Sequence, residues 1–226
     1  MRHFGLIGKK LGHSWSADYF TRKFAEEHID ADYRLIELDD LADLTQTLRC
    51  LSGYNVTIPY KAAIIPYLQE LDQTAREIGA VNVVKGGKGY NTDWLGFRLS
   101  LEEVCGTLQG KALIVGKGGA AKAIQYALRE MGMTVETVSA RGKITEDVGG
   151  CDLIVNATPL GMWPDVTSFP DLDYTALHEG QVLFDCVYNP IETEFLRRGK
   201  AQGATTINGK RMLEIQAEES WKIFNS

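Results

Sequence analysis

Short apolar runs that close on glycine or a polar turn alternate along this chain with segments whose apolar residues recur every three or four positions. The first run, Phe4-Gly5-Leu6-Ile7-Gly8, predicts a buried strand and a tight turn. Phe20 and Phe24, set among charged residues after His13-Ser14-Trp15-Ser16, predict a helix with one apolar face. Ser14 or Ser16 is placed to accept a hydrogen bond from a free N–H at its start. Tyr33-Arg34-Leu35-Ile36-Glu37-Leu38 alternates as a strand does, and a helical stretch is expected over 41–51. Tyr54-Asn55-Val56-Thr57 reads as a strand, after which Pro59 opens a helix near its first turn. Two further runs flank Lys85-Gly86-Gly87-Lys88 as the arms of a hairpin. Asp93 heads a helix through Phe97, Leu101 and Val104, where a negative side chain complements the helix dipole.

Beyond residue 110 the rhythm changes. Strand-length runs begin at Lys111, Thr134, Cys151 and Gln181, and a helical pattern over 118–131 separates the first two. That alternation predicts a parallel sheet covered on both faces. A last helix is expected over 209–224, with Met212, Leu213, Ile215 and Gln216 along it. The expected organisation is α/β with two domains: an N-terminal α/β domain over 1–96, a doubly wound parallel-sheet domain over 97–208, and a C-terminal helix, 209–226, returning to the first.

Composition narrows the function classes. The chain has 226 residues, 44% of them hydrophobic and 24% charged, which is enough to build a core. Its 24 Lys and Arg against 30 Asp and Glu give a net charge of −6, without the general electrostatic footprint of a nucleic-acid binder. No apolar run approaches the roughly 20 residues that span a bilayer, and no signal-peptide core follows Met1, so a cytoplasmic location is expected. Cys50, Cys105, Cys151 and Cys186 lack C-x-x-C spacing and read as scattered thiols of a reducing compartment. His3, His28 and His178 form no ligand spacing with carboxylates or thiols, so no metal is expected.

Gly116-Lys117-Gly118-Gly119-Ala120-Ala121 lies between a predicted strand and a predicted helix, the setting in which G-x-G-x-x-[GA] binds a dinucleotide in a Rossmann-like domain. The first glycine allows the turn, the second lets backbone approach a pyrophosphate, and the small third residue lets helix and strand pack closely. Helix N–H groups then face the anion. The bland alternative is a glycine-rich turn that binds nothing. An acidic residue at the end of the second strand would bond the ribose of NAD. Ser139-Ala140-Arg141-Gly142-Lys143 stands there instead, and its hydroxyl and two cations suit the 2′-phosphate of NADP, the alternative being a solvated basic turn.

Seven motifs in order make the chain resemble the shikimate dehydrogenase family over nearly its whole length. Gly8 to Ser16 resembles G-x-P-I-x-H-S-x-S, and residues 55–61 match N-V-T-x-P-x-K. Residues 79–82 match G-A-V-N, 91–96 match N-T-D-x-x-G, and 156–162 match N-A-T-P-x-G-M. Residues 185–190 resemble D-x-x-Y-x-P, and 209–216 resemble G-x-x-M-L-x-x-Q. The departures are Lys9-Lys10 for Asn-Pro, Ala17 for the proline after Ser16, Val83 for a threonine, and Ser139-Ala140-Arg141 for N-R-T. Too few residues separate Lys143 from the next strand for a full helix, which bears on cofactor choice more than on the substrate site.

The resemblance implies an NADP-dependent oxidoreductase of aromatic amino-acid biosynthesis that interconverts 3-dehydroshikimate and shikimate in a cleft between the domains. A lysine in a closed site can have its pKa lowered toward neutrality, which suits Lys61 as general acid/base with Asp93 holding the ammonium and the reacting hydroxyl; the family assigns the same roles. Ser14 and Ser16 are implied to bind the substrate carboxylate, and Thr57, Asn82 and Gln216 its ring hydroxyls, with Tyr188 beside them. Gly116, Gly118, Gly119 and Ala120, with Ser139, Arg141 and Lys143, are implied to hold the cofactor, whose nicotinamide meets Cys186 and Gly209. His13 is expected in a turn-stabilising hydrogen bond, Met162 in packing, and Trp94, Trp163 and Trp221 in the core or at a domain edge. The expected partners are small molecules, and the expected state is a monomer or homodimer. The alternatives are a quinate/shikimate dehydrogenase using NAD and a non-catalytic ligand-binding paralogue.

Overall fold

Side chains alternate across a strand, so a strand buried on both faces needs apolar residues at successive positions, and the central strands of the two sheets are largely such runs. The computed structural model describes residues 1–12, 14–43, 48 and 50–226. They divide into one unit formed by Met1–Thr92 and Ala217–Ser226 and a second formed by Asp93–Gln216. The family of folds is the expected one, α/β with two units, but the boundaries fall at 92/93 and 216/217 rather than 96/97 and 208/209. The helix Asp93–Cys105 runs continuously across Gly96. Met212, near the start of the last helix Lys210–Asn225, joins Phe97 and Leu101 in a core of the second unit.

In the first unit, β1 (Arg2–Gly8), β2 (Ala31–Glu37), β3 (Gly53–Val56), β4 (Glu70–Leu71), β5 (Val83–Lys85) and β6 (Lys88–Tyr90) form a sheet in the order β2-β1-β3-β5-β6-β4. β1 runs parallel to β2 and β3, and β5 antiparallel to β3 and β6. Phe4 and Leu6 face Phe20 and Phe24 of the helix Trp15–Glu26, with Phe224 of the last helix, whereas Ile7 faces Val56, Tyr60 and Ile64. Val83, the departure from the family's threonine, is fully buried in the aromatic cluster. The stretch expected as a helix over 41–51 begins as a single 3-10 turn, Leu41–Asp43, and residues 44–47 and 49 lie outside the described residues, as does His13.

In the second unit, β7 (Lys111–Val115), β8 (Thr134–Val138), β9 (Leu153–Asn156), β10 (Val182–Asp185) and β11 (Thr205–Ile207) are all parallel, in the order β11-β10-β9-β7-β8. Ala112, Ile114, Val155 and Phe184 pack beneath the helices Asp93–Cys105 and Gly119–Glu130. Leu113, Val115, Ile154 and Leu183 turn to the opposite face, against Phe195 and Leu196 of the helix Glu194–Ala201. No helix joins β8 to β9. Ile144 and Val148, from that irregular connection, cover the sheet face together with Tyr174 and Leu177. The doubly wound layer is therefore thin on this side. Met162, expected to pack, is 43% exposed, and Trp163 beside it is 67% exposed, on a loop after β9 that is held by Trp163 N–H on the Asn189 carbonyl at 3.1 Å.

A buried carboxyl ties the loops that follow β9 and β10. Asp185 accepts hydrogen bonds from Asn156 Nδ2 (3.0 Å), the Val187 N–H (2.9 Å) and Thr193 Oγ1 (2.5 Å). Asn156 also donates to the Leu160 carbonyl and accepts from Thr158 Oγ1. Burial raises the Asp185 pKa to about 7 against these three donors. The folded state thus keeps a proton that an unfolded carboxyl, titrating near 3.9, releases. The stabilising contribution is present below that ordinary value and is lost as pH rises toward 7. Asp185→Asn does not titrate, so its melting temperature should fall less than the wild type's between about pH 4 and pH 7. Parallel slopes in thermal melts across that range would contradict the assignment.

Candidate active site

The residues expected to bind substrate in the first unit gather at the carboxyl ends of β1 and β3. Thr57 N–H donates to the Ile7 carbonyl at 2.8 Å, and Asn82 accepts the Val56 N–H on its carbonyl at 2.9 Å. A Cβ on Gly8 would fall 2.8 Å from Thr57 Cγ2, so β1 can end against Thr57 only as glycine. Lys61 lies in the short helix Tyr60–Ala63, half-buried, and its carbonyl accepts the Val81 N–H at 2.7 Å. Ser14 is the N-cap of the helix Trp15–Glu26 but makes no side-chain capping bond, so its hydroxyl is not spent on the helix. Ser16 follows in the first turn; both serines are half-buried. Glu37, to which the sequence pattern gives no role, anchors the loop that leads to them, accepting the Leu11 N–H at 2.6 Å and the Gly12 N–H at 3.4 Å.

A polar network lies beneath these ends. Asn82 Nδ2 donates to Thr92 Oγ1 at 2.9 Å, and the Thr92 N–H returns to Asn82 Oδ1 at 2.7 Å. Asn55 donates to the Asn82 carbonyl and to Ser220 Oγ, and accepts from Tyr33 Oη. Burial pushes the Tyr33 hydroxyl well above its ordinary pKa, so it stays a donor. Asn55 was legible only as a motif letter and Ser220 not at all, since their partners are distant in sequence.

Asp93 opens the second unit and is 4% exposed at the first turn of its helix. Gln216 is brought beside that helix: a Cβ on Gly96 would meet the Met212 carbonyl at 2.7 Å and Gln216 Cβ at 3.1 Å. The glycine that ends N-T-D-x-x-G therefore permits two helices to touch. Gln216 Nε2 donates to the Leu213 carbonyl at 2.9 Å.

The expected cofactor residues spread along the carboxyl edge of the parallel sheet. The connections from β7 and from β8 run in opposite directions, so the ends of β7 and β9 form the switch point where ligands bind in such sheets. Gly116 takes φ 126° there, and an added Cβ would lie 2.9 Å from the Ala157 carbonyl. Gly118 is the opposite case: nothing lies within 4 Å of an added Cβ, so the loop leaves an open cradle at the start of the helix Gly119–Glu130. Ala120 is half-buried in that first turn, and Ala121, the small third position, is packed in the core. Ser139 Oγ accepts the Arg141 N–H at 3.2 Å in the turn after β8, with Arg141 and Lys143 exposed. At the other side, Gly209 N–H donates to the Val187 carbonyl at 3.0 Å, and an added Cβ there would meet the Cys186 carbonyl carbon at 2.6 Å. Cys186 and Gly209 thus adjoin, with Tyr188 half-buried two residues on. A dinucleotide laid along this edge meets the basic turn, the glycine cradle and the Cys186–Gly209 pair in that order, and the residues present fit it. No group of three or more His, Cys, Asp or Glu among the described residues is arranged to hold a metal ion.

The family described as shikimate dehydrogenase substrate binding domain matches residues 6–84. A shikimate dehydrogenase (NADP(+)) of Bacillus cereus strain G9842 is 39% identical, covering 98% of this chain and 91% of its own. The crystal structure of shikimate 5-dehydrogenase from Thermus thermophilus, in complex with NADP(H) and shikimate, superposes with a TM-score of 0.90 at 30% identity, over 99% of this chain and 93% of that one. Quinate dehydrogenase from Corynebacterium glutamicum, in complex with NAD, gives a TM-score of 0.86 at 30% identity, over 99% and 93%. On full-length likeness in sequence and fold, the chain belongs to the shikimate dehydrogenase family.

Proposed function

We propose that this chain is an NADP-dependent dehydrogenase that reversibly reduces 3-dehydroshikimate to shikimate. The observation that carries the reading is the placement of the seven motifs: each lies at or beside the carboxyl edge of its sheet or on the helices Asp93–Cys105 and Lys210–Asn225. Ser14 and Ser16 donate to the substrate carboxylate, a charge-assisted and therefore strong kind of hydrogen bond. Thr57, Asn82 and Gln216 exchange hydrogen bonds with the ring hydroxyls, and Tyr188 adjoins them. Lys61 gives its ammonium proton to the ketone oxygen as that atom becomes a hydroxyl, and Asp93 accepts hydrogen bonds from the ammonium and the nascent alcohol. In the reverse direction Lys61 takes the proton back. When bound, the nicotinamide supplies the hydride, and the protein supplies orientation and the proton. The cofactor is held by Gly116, Gly118, Gly119 and Ala120 at the pyrophosphate, by Ser139, Arg141 and Lys143 at the 2′-phosphate, and by Cys186 and Gly209 at the nicotinamide. The reading carries with it a cytoplasmic enzyme of aromatic amino-acid biosynthesis, a monomer or homodimer.

The second reading is a quinate-oxidising enzyme that uses NAD, favoured by the likeness to the quinate dehydrogenase. Against it stand Arg141 and Lys143, where NAD calls for a carboxylate. Replacing both by alanine should raise the Kd for NADPH by about tenfold or more while leaving NADH binding unchanged, as measured by nucleotide fluorescence. An equal loss for both cofactors would contradict this assignment. Gly118→Ala should leave the melting temperature unaltered, because its Cβ enters open space, but weaken NADPH binding by blocking the cradle; unchanged binding would place the pyrophosphate elsewhere. Lys61→Ala should lower kcat by about 10²- to 10⁴-fold with substrate binding largely retained. Turnover like the wild type's would remove Lys61 from the chemistry.

A further inference from the structure

The geometry points to Ser220 as a positioning residue for the reaction, an inference that rests on the proposed roles of Lys61, Asn82 and Asp93. Ser220 is fully buried in the last helix, whose Ala217 and Phe224 pack against Phe4 and Phe20. Packing alone gives no reason for a hydroxyl at such a position, since an alanine fills nearly the same volume without a polar group to satisfy. The hydroxyl is used instead as a junction. Ser220 Oγ accepts from Asn55 Nδ2 at 2.9 Å and lies 3.3 Å from Thr92 Oγ1, within reach of a further hydrogen bond. Asn55 is on β3, two residues before Thr57, and its other amide proton goes to the Asn82 carbonyl at 3.1 Å. Asn82 and Thr92 are joined to each other by two hydrogen bonds.

One hydroxyl thus joins the last helix to the end of β3 and to Thr92, after which the chain continues into Asp93, and through Asn55 it reaches the turn before β5. The same turn carries Val81, whose N–H holds the Lys61 carbonyl at 2.7 Å. Ser220 is fully buried, so its effect on the reaction is indirect, through Asn55 and Thr92. Hydrogen-bonded networks of this kind fix one arrangement of a core, and displacements of about 1 Å at a reacting group cost about a hundredfold in rate. Without Ser220 Oγ, Asn55 keeps its bond to the Asn82 carbonyl and Thr92 its two bonds to Asn82, so the fold persists while the tie from this cluster to the last helix is lost.

The test is Ser220→Ala in the full chain, with steady-state rates expressed per folded molecule and a thermal melt alongside. The expected result is a fall in kcat of about tenfold to a hundredfold, with the KM for NADPH within about twofold of the wild type and a melting temperature within a few degrees. A kcat within about twofold of the wild type overturns the inference, and so does a loss shared equally with the KM for NADPH. Thr92→Val and Thr92→Ser give a second reading of the same junction. The valine should reproduce the loss and the serine, which keeps the hydroxyl, should recover most of it; equal defects in the two overturn the inference. Lys61→Ala in the same assay tells the two proposals apart. A wild-type rate there overturns the reading of the reaction and this inference with it, whereas a dead Lys61→Ala beside an unimpaired Ser220→Ala overturns the role of Ser220 alone.

Discussion

A polar side chain removed from water must find a partner, and in this protein that requirement arranges both units. Among the described residues no buried side-chain nitrogen or oxygen lacks one. In the first unit the requirement is met by the double bond of Asn82 with Thr92 and its extension through Asn55 to Ser220. In the second it is met by Asp185 with Asn156 and Thr193. An unmade hydrogen bond in such a place costs about 1–3 kcal/mol, so each network holds its loops in one conformation. Those loops carry the residues assigned to substrate and cofactor.

Close approach is the second constraint. Gly8 against Thr57, Gly96 against the Met212 carbonyl, and Gly209 against the Cys186 carbonyl each let backbone come nearer than a Cβ allows. At Gly118 the space left by the missing Cβ opens outward instead, so packing does not require a glycine there. The acidic chain accordingly offers an anion two features at one sheet edge: an uncapped helix start at the cradle and the basic turn at Arg141 and Lys143.

The strands were legible because a parallel sheet buried on both faces demands unbroken apolar runs, and β7, β9 and β10 have them. The helices Gln73–Ile78 and Glu194–Ala201 are harder to read, since at six and eight residues each is too short for its few apolar positions, Ala75 and Ile78 or Phe195 and Leu196, to repeat over several turns. β11, with only Thr205, Thr206 and Ile207, has too few residues to show alternation. The missing helix after β8 could be read from chain length alone, whereas its replacement by Ile144 and Val148 could not. The candidate site was legible where motif order carries it, as at Lys61, Asp93 and the glycine loop. Asp185 is legible only as a motif letter, and Ser220 and Glu37 not at all, because hydrogen-bond partners such as Thr193, Asn55 and Leu11 are chosen by tertiary placement, which spacing along the chain does not encode.

The most direct measurement is the absorbance of reduced nicotinamide when 3-dehydroshikimate is added to the protein with NADPH or, separately, with NADH. The account predicts rapid, stoichiometric oxidation of NADPH, formation of shikimate and a much slower reaction with NADH. No oxidation of NADPH at any pH, with the ligands nonetheless bound, would contradict it.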